Sequence, residues 1–112
     1  MSRLPAHVEV GSLLRSVQAA GDFGTILKKG DPERGSVMLV IDSRGRHHAV
    51  LERVLGIDGD YQWRSAGPGD SAESAEVSAF LAKRAGFDED SWIVELDVAD
   101  PERFIAETTG SG

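Results

Sequence analysis

Residues 91–104, Ser-Trp-Ile-Val-Glu-Leu-Asp-Val-Ala-Asp-Pro-Glu-Arg-Phe, constrain the fold of this chain more than any other stretch. Trp92, Val94, Leu96 and Val98 alternate with Glu95 and Asp97, the period of a strand with one buried face. Asp100 and Pro101 then end it. The carboxylate offers an N-cap acceptor, while proline's fixed φ and missing N–H suit the first helical position, so a short helix through Phe104 and Ile105 is expected. The stretch specifies structure and carries no recognisable chemistry.

A chain of 112 residues is long enough to bury a core without metal or disulfide, and its length suits one domain. We expect a single α+β domain over residues 1–107 and a polar, flexible tail over residues 108–112. The absence of cysteine excludes disulfides, Cys-ligated zinc, iron–sulfur clusters and thiol catalysis. No apolar leader opens the chain, and the longest apolar run, residues 37–41, is far too short to span a bilayer; the expectation is a cytoplasmic protein without membrane contact. A net charge of −7 disfavours nonspecific binding to phosphate backbones. The acidity is C-terminal: residues 65–112 hold 11 Asp and Glu against three Lys and Arg, whereas residues 1–64 are close to balanced. Solvated helix faces explain this more simply than an acidic docking surface.

Along the chain, residues 7–10 read as a brief strand, and Ser12 as the cap of a helix ending at Gly21, with Leu13, Leu14, Val17 and Ala20 on its inner face. Strands are expected at residues 23–29, 36–41, near 47–54 and at 61–64. Gly- and Asp-rich turns separate them, and short turns between successive strands imply antiparallel neighbours. Residues 37–41 are apolar at every position and belong mid-sheet, with both faces covered. Asp70 and Glu73 suggest a capping box for a helix over residues 71–85, with Val77, Phe80, Leu81 and Arg84 on one side. Gly86 and Phe87 suggest its left-handed C-cap and apolar latch.

With these elements laid out, Arg3-Leu4-Pro5-Ala6-His7-Val8, Leu27-Lys28-Lys29-Gly30-Asp31-Pro32 in the first hairpin, Glu52-Arg53, and Trp92-Ile93-Val94-Glu95-Leu96-Asp97 stand in a specific order. In that order the chain resembles, over nearly its whole length, an uncharacterised alphaproteobacterial family known only as a domain of unknown function. The resemblance implies a bacterial, cytoplasmic, single-domain protein and supplies no activity, cofactor, substrate or catalytic residue.

The residues themselves offer few chemical centres, and no catalytic, cofactor-binding or metal-ligating set is assigned. His47 and His48 are adjacent on a strand and point to opposite faces unless the backbone bulges. One of them could join Asp42 or Glu52, but no metal-ligand spacing accompanies the pair. Ser12, Ser43 and Ser91 fit caps and turns. Asp58-Gly59-Asp60 and Asp88-Glu89-Asp90 lack the remainder of a calcium loop, so turn chemistry explains them. No phosphate-cradling glycine motif occurs, and Lys28-Lys29-Gly30 reads as a solvent-facing hairpin end.

Three functional readings follow. The leading one is a noncatalytic binding or protein-interaction module, partnered by another protein or by itself as a homodimer, with Tyr61, Trp63 and Arg64 as the contact surface. The alternative is a small enzyme or ligand-binding domain for an anionic metabolite, contacted by Lys29, Arg46, His47 and Arg53. The third is single-stranded nucleic-acid binding by aromatics and bases on one sheet face, which the six acids among residues 28–64 disfavour. The fold expected for all three is an antiparallel sheet of four to five strands, with two main helices and a short C-terminal one packed against it.

Overall fold

The protein, described here by a computed structural model covering residues 4–110, has the element order α1 (Ala6–Ala19), β1 (Phe23–Lys28), β2 (Val37–Ser43), β3 (Arg46–Leu55), β4 (Tyr61–Ser65), α2 (Ser74–Phe87), β5 (Trp92–Asp97) and α3 (Pro101–Thr109). The class is α+β. Arg3 of the first family motif and residues 111–112 of the expected tail lie outside the described residues. Thr108 and Thr109, read as tail, complete the last turn of α3, which ends at Gly110 with φ +73°.

The five strands run in the order β1-β5-β2-β3-β4. β2, β3 and β4 form an antiparallel meander, while β5 lies between β1 and β2, antiparallel to the first and parallel to the second. The expected β1–β2 hairpin therefore does not exist. Residues 30–35 are a corner passing over the start of β5, because β2, apolar and buried from Val37 to Ile41, needs a strand on each side. Trp92 Nε1 donates to the Asp31 carbonyl at 2.8 Å and the Asp31 amide to the Asp90 carbonyl at 2.9 Å. A Cβ on Gly35 would meet both the Asp90 carbonyl oxygen and the Trp92 ring. Lys28 is not a solvent-facing hairpin end either: its Nζ donates to the Ser91 carbonyl at 2.6 Å and the Glu89 carbonyl at 2.7 Å.

One sheet face carries Val37, Leu39, Ile41, Ala49, Leu51, Trp92, Val94 and Leu96, and packs against Ala6, Val10 and Val17 of α1 with Phe104 and Ile105 of α3 beside them. Residues 7–10 thus belong to a helix. Four alternating residues are too few to outweigh the i, i+4 spacing of Ala6 and Val10, and the first helical amides are satisfied by the corner, Ala6 N donating to Glu33 O and His7 N to Pro32 O. Ser12 lies inside this helix and caps nothing. The opposite face carries Met38, Val40, Val50 and Ile93 beneath α2, whose only buried residue is Val77. α2 starts three residues later than expected, at Ser74, with Glu73 as its N-cap and no side-chain cap, so the Asp70–Glu73 box does not form. Gly86 stays helical and Phe87 is exposed, so no latch forms; the Asp88 amide continues the helical pattern to Arg84 O. The α3 signal holds as read, with Asp100 accepting from Arg103 N and Pro101 in the first turn.

Candidate functional site

The four basic side chains considered for an anion are not brought together. Arg53 projects from β3 toward α1, where it pairs with Glu9 and is almost wholly buried. His47 lies on the α2 face. Lys29 follows β1, whose end pairs with the start of β5, whereas Arg46 pairs with Ser43 at the other end of the sheet. The set spans both faces and both ends.

Tyr61, Trp63 and Arg64 separate by strand alternation. Tyr61 and Trp63 share the α1 face with Arg53, whose guanidinium lies 4.9 Å from the Tyr61 ring centre and 5.8 Å from that of Trp63. Trp63 packs against the main core, while Tyr61 remains 43% exposed. Glu9, Arg53 and the two rings form one group in which the cation lies over one face of each ring. Arg64 points to the α2 face, 3.8 Å from Glu52, which also pairs with Arg84 of α2. At the far end of the β3–β4 ribbon, Leu55 and Ile57 are exposed alongside Tyr61.

A more chemically distinctive arrangement lies under α2, at the other side of the sheet. The β2–β3 register shifts so that Ile41 opposes Ala49 and Asp42 opposes His47, leaving His48 as the extra residue. This bulge turns His47 to the same face as Asp42, with Nδ1 3.5 Å from the carboxylate and the two side chains only 10% and 13% exposed. His47 Nε2 donates to the Pro68 carbonyl at 2.8 Å, so Nδ1 of the neutral ring is an acceptor, and it has no hydrogen-bond partner. Glu95, from β5, completes the group. Burial, a hydrogen bond with Asp42 and the negative charges of Asp42 and Asp97 push its carboxyl from an ordinary 4.5 up to about 7. Asp97 is held away by accepting the Arg44 and Gly45 amides at 2.9 and 3.0 Å.

Asp42, His47 and Glu95 line a cavity of about 240 Å³ together with Leu27, Val40, Val77 and Leu81. The sequence allows a strand histidine to join Asp42 or Glu52, and its alternation places Glu95 on a solvent face; the structure brings His47 to Asp42 and adds Glu95 beneath α2. The available signal was β2: a strand covered on both faces implies that the outward residues of its neighbour also lie beneath a layer. Among the described residues no group of three or more His, Cys, Asp or Glu is placed to hold a metal ion. The acidic turns behave as turns, Asp58 accepting the Asp60 amide and Asp88 the Asp90 amide. No helix of the described residues is long and apolar enough to cross a membrane.

A family model described as "Protein of unknown function (DUF1491)" matches residues 4–106. The fold is similar to the crystal structure of a DUF1491 family protein from Caulobacter crescentus CB15, with a TM-score of 0.80 and 24% identity over 91% of this chain and 94% of that one. An NMR structure of a DUF1491 family protein from the same organism aligns with a TM-score of 0.75 and 25% identity over 90% and 91% of the two chains. The solution structure of protein Atu0922 from A. tumefaciens aligns with a TM-score of 0.73 and 26% identity over 88% and 89%. No curated protein matches the chain.

Proposed function

Because the chain belongs to the DUF1491 family of unknown function, which supplies a fold and no activity, we propose from its geometry that it is a noncatalytic, cytoplasmic interaction module pairing with a second copy of itself along the open edge of β4. The observation that carries this reading is the regularity of that edge strand, beside which the end of α3 packs. β4 contains no proline or lysine and pairs with β3 in unbroken register, whereas the other edge strand, β1, is interrupted by an irregularity between Ile26 and Lys28. Edges left regular and unblunted are templates for strand addition.

A two-fold antiparallel pairing centred on Trp63 sets Tyr61 opposite Ser65 and Gln62 opposite Arg64, with no like charges facing. Exposed Leu55, Ile57 and Tyr61 then flank the seam with apolar surface. Sedimentation equilibrium of wild type, Gln62→Glu and Gln62→Lys tests the register. Gln62 is exposed, so neither change disturbs the fold. The glutamate variant faces Arg64 twice across the two-fold and dimerises more tightly, the lysine variant more weakly, each by about tenfold given two cross-strand charge pairs of about 0.2–1 kcal/mol apiece. A wild type that stays monomeric up to about 0.2 mM, in the range where a weak interface would already populate dimer, overturns the proposal; so do two variants that shift in the same direction.

A further inference from the structure

We infer that the cavity beneath α2, built around Asp42, His47 and Glu95, is a binding site for a small primary alkylammonium ion. Its polar wall presents ionisable acceptors: the Asp42 and Glu95 carboxyl groups and the unpartnered Nδ1 of His47, in a ring nine-tenths buried. No lysine or arginine lines it, so an anion finds no counter-charge there. A buried acceptor without a donor marks a place where an N–H is missing. An ammonium group carries three such donors and a positive charge, one donor for each of the three acceptors. The opposite wall, Leu27, Val77 and Leu81, suits a short alkyl chain, and about 240 Å³ accommodates a molecule of a few carbons. The absence of three suitably placed ligands among the described residues argues against a bare metal ion in the same place.

Binding is linked to protons. Glu95 faces Asp42 from β2, His47 from β3 and Asp97 from its own strand, while the residues that α2 and β1 contribute to the cavity, Ser74, Val77, Ser78, Leu81 and Leu27, are uncharged. The incoming ammonium replaces the proton held by the carboxyl pair, which passes to solvent, so affinity rises with pH as Glu95 ionises. The site lies on the α2 face and does not involve the β4 edge, so it stands or falls independently of self-pairing.

The test is an amide NMR titration of the full chain with n-butylammonium at pH 6 and pH 8, with 1-butanol as the uncharged isostere and N-acetyl-lysine methylamide as the same ammonium carried on a peptide. Shifts confined to the cavity lining, around Leu27 of β1, Asp42 of β2, His47 of β3, Glu95 of β5 and the facing turns of α2, saturating at about 10 mM and about tenfold tighter at pH 8 than at pH 6, are expected for n-butylammonium. Butanol leaves the spectrum unchanged. Tighter binding of the lysine derivative assigns the site to a protein side chain, and tighter binding of butylammonium to a free amine; both retain the ammonium site. Asp42→Asn weakens binding at least tenfold. Should that variant unfold, Glu95→Gln, which preserves the protonated shape, abolishes the pH dependence instead. No saturable shift at pH 8, or equal response to butanol, overturns the inference.

Discussion

Glu95→Gln isolates one titration in the fold. The Glu95 carboxyl holds its proton up to about pH 7 in the native state, because burial and the neighbouring Asp42 and Asp97 oppose its charge, and releases it near 4.5 once unfolded. Between those values the native state binds the extra proton, so raising the pH favours unfolding. The stabilisation due to the raised value is fully present below pH 4.5, falls away as pH rises through 7, and is level above. A shift of that size corresponds to about 3 kcal/mol without screening. Glu95 is half-buried, and solvent screening reduces this to about 1–2 kcal/mol. Glutamine copies the neutral acid, so the variant matches wild type near pH 3.5, where the carboxyl is protonated in both states, and exceeds it by about 1–2 kcal/mol at pH 8. Urea unfolding followed by tryptophan fluorescence at half-unit steps from pH 3.5 to 8.5 measures the difference, in which the titrations of groups remote from Glu95 cancel. A difference independent of pH, or one that shrinks as pH rises, refutes the reasoning.

Two further substitutions test how the chain is held. Gly35→Ala drives a methyl group against the Asp90 carbonyl oxygen and the Trp92 ring, and thermal unfolding should register a loss of about 1–3 kcal/mol; Gly69→Ala, where nothing lies within 4 Å, should cost nothing, and equal effects at the two positions would remove the close-approach argument. Asp100→Ala deletes the acceptor for Arg103 N and should cost about 1 kcal/mol by chemical denaturation, with a change below about 0.3 kcal/mol showing that α3 is held by Phe104 and Ile105 alone.

Local signals were legible wherever a period persisted or a turn residue had one use. Trp92 to Val98 alternates long enough to define a strand, and Asp100-Pro101 has no better use than a helix start. The five apolar residues of β2 also announced their central position. Partner choice was not legible, since alternation records which face is buried and says nothing about which strand lies alongside. The corner at residues 30–35 therefore read as a hairpin turn, although its Asp31 amide and carbonyl are taken by Asp90 and Trp92, some sixty residues away. The same limit hid the candidate site. Asp42 and His47 sit on neighbouring strands and were associated, with a bulge named as the condition for the histidines to depart from alternation. Glu95 reaches them only through the non-local insertion of β5. Arg53 shows the converse: a strand arginine that the sequence offers as a contact for an anionic ligand is buried against Glu9, on a helix whose first turn reads as a strand.

The insertion of β5 has a consequence for biosynthesis. A nascent chain that has emerged as far as Ser65 can assemble the β2–β3–β4 meander, but β1 has no partner and the outer edge of β2, with its run from Val37 to Ile41, has no neighbour. That edge is a template for strand addition until it is covered, and α2 must be synthesised before the strand that covers it. The late segment behaves as a clasp: residues 92–97 satisfy two incomplete strands at once, so translation that stalls or terminates before Trp92 yields an open, sticky half-sheet and not a smaller version of the domain.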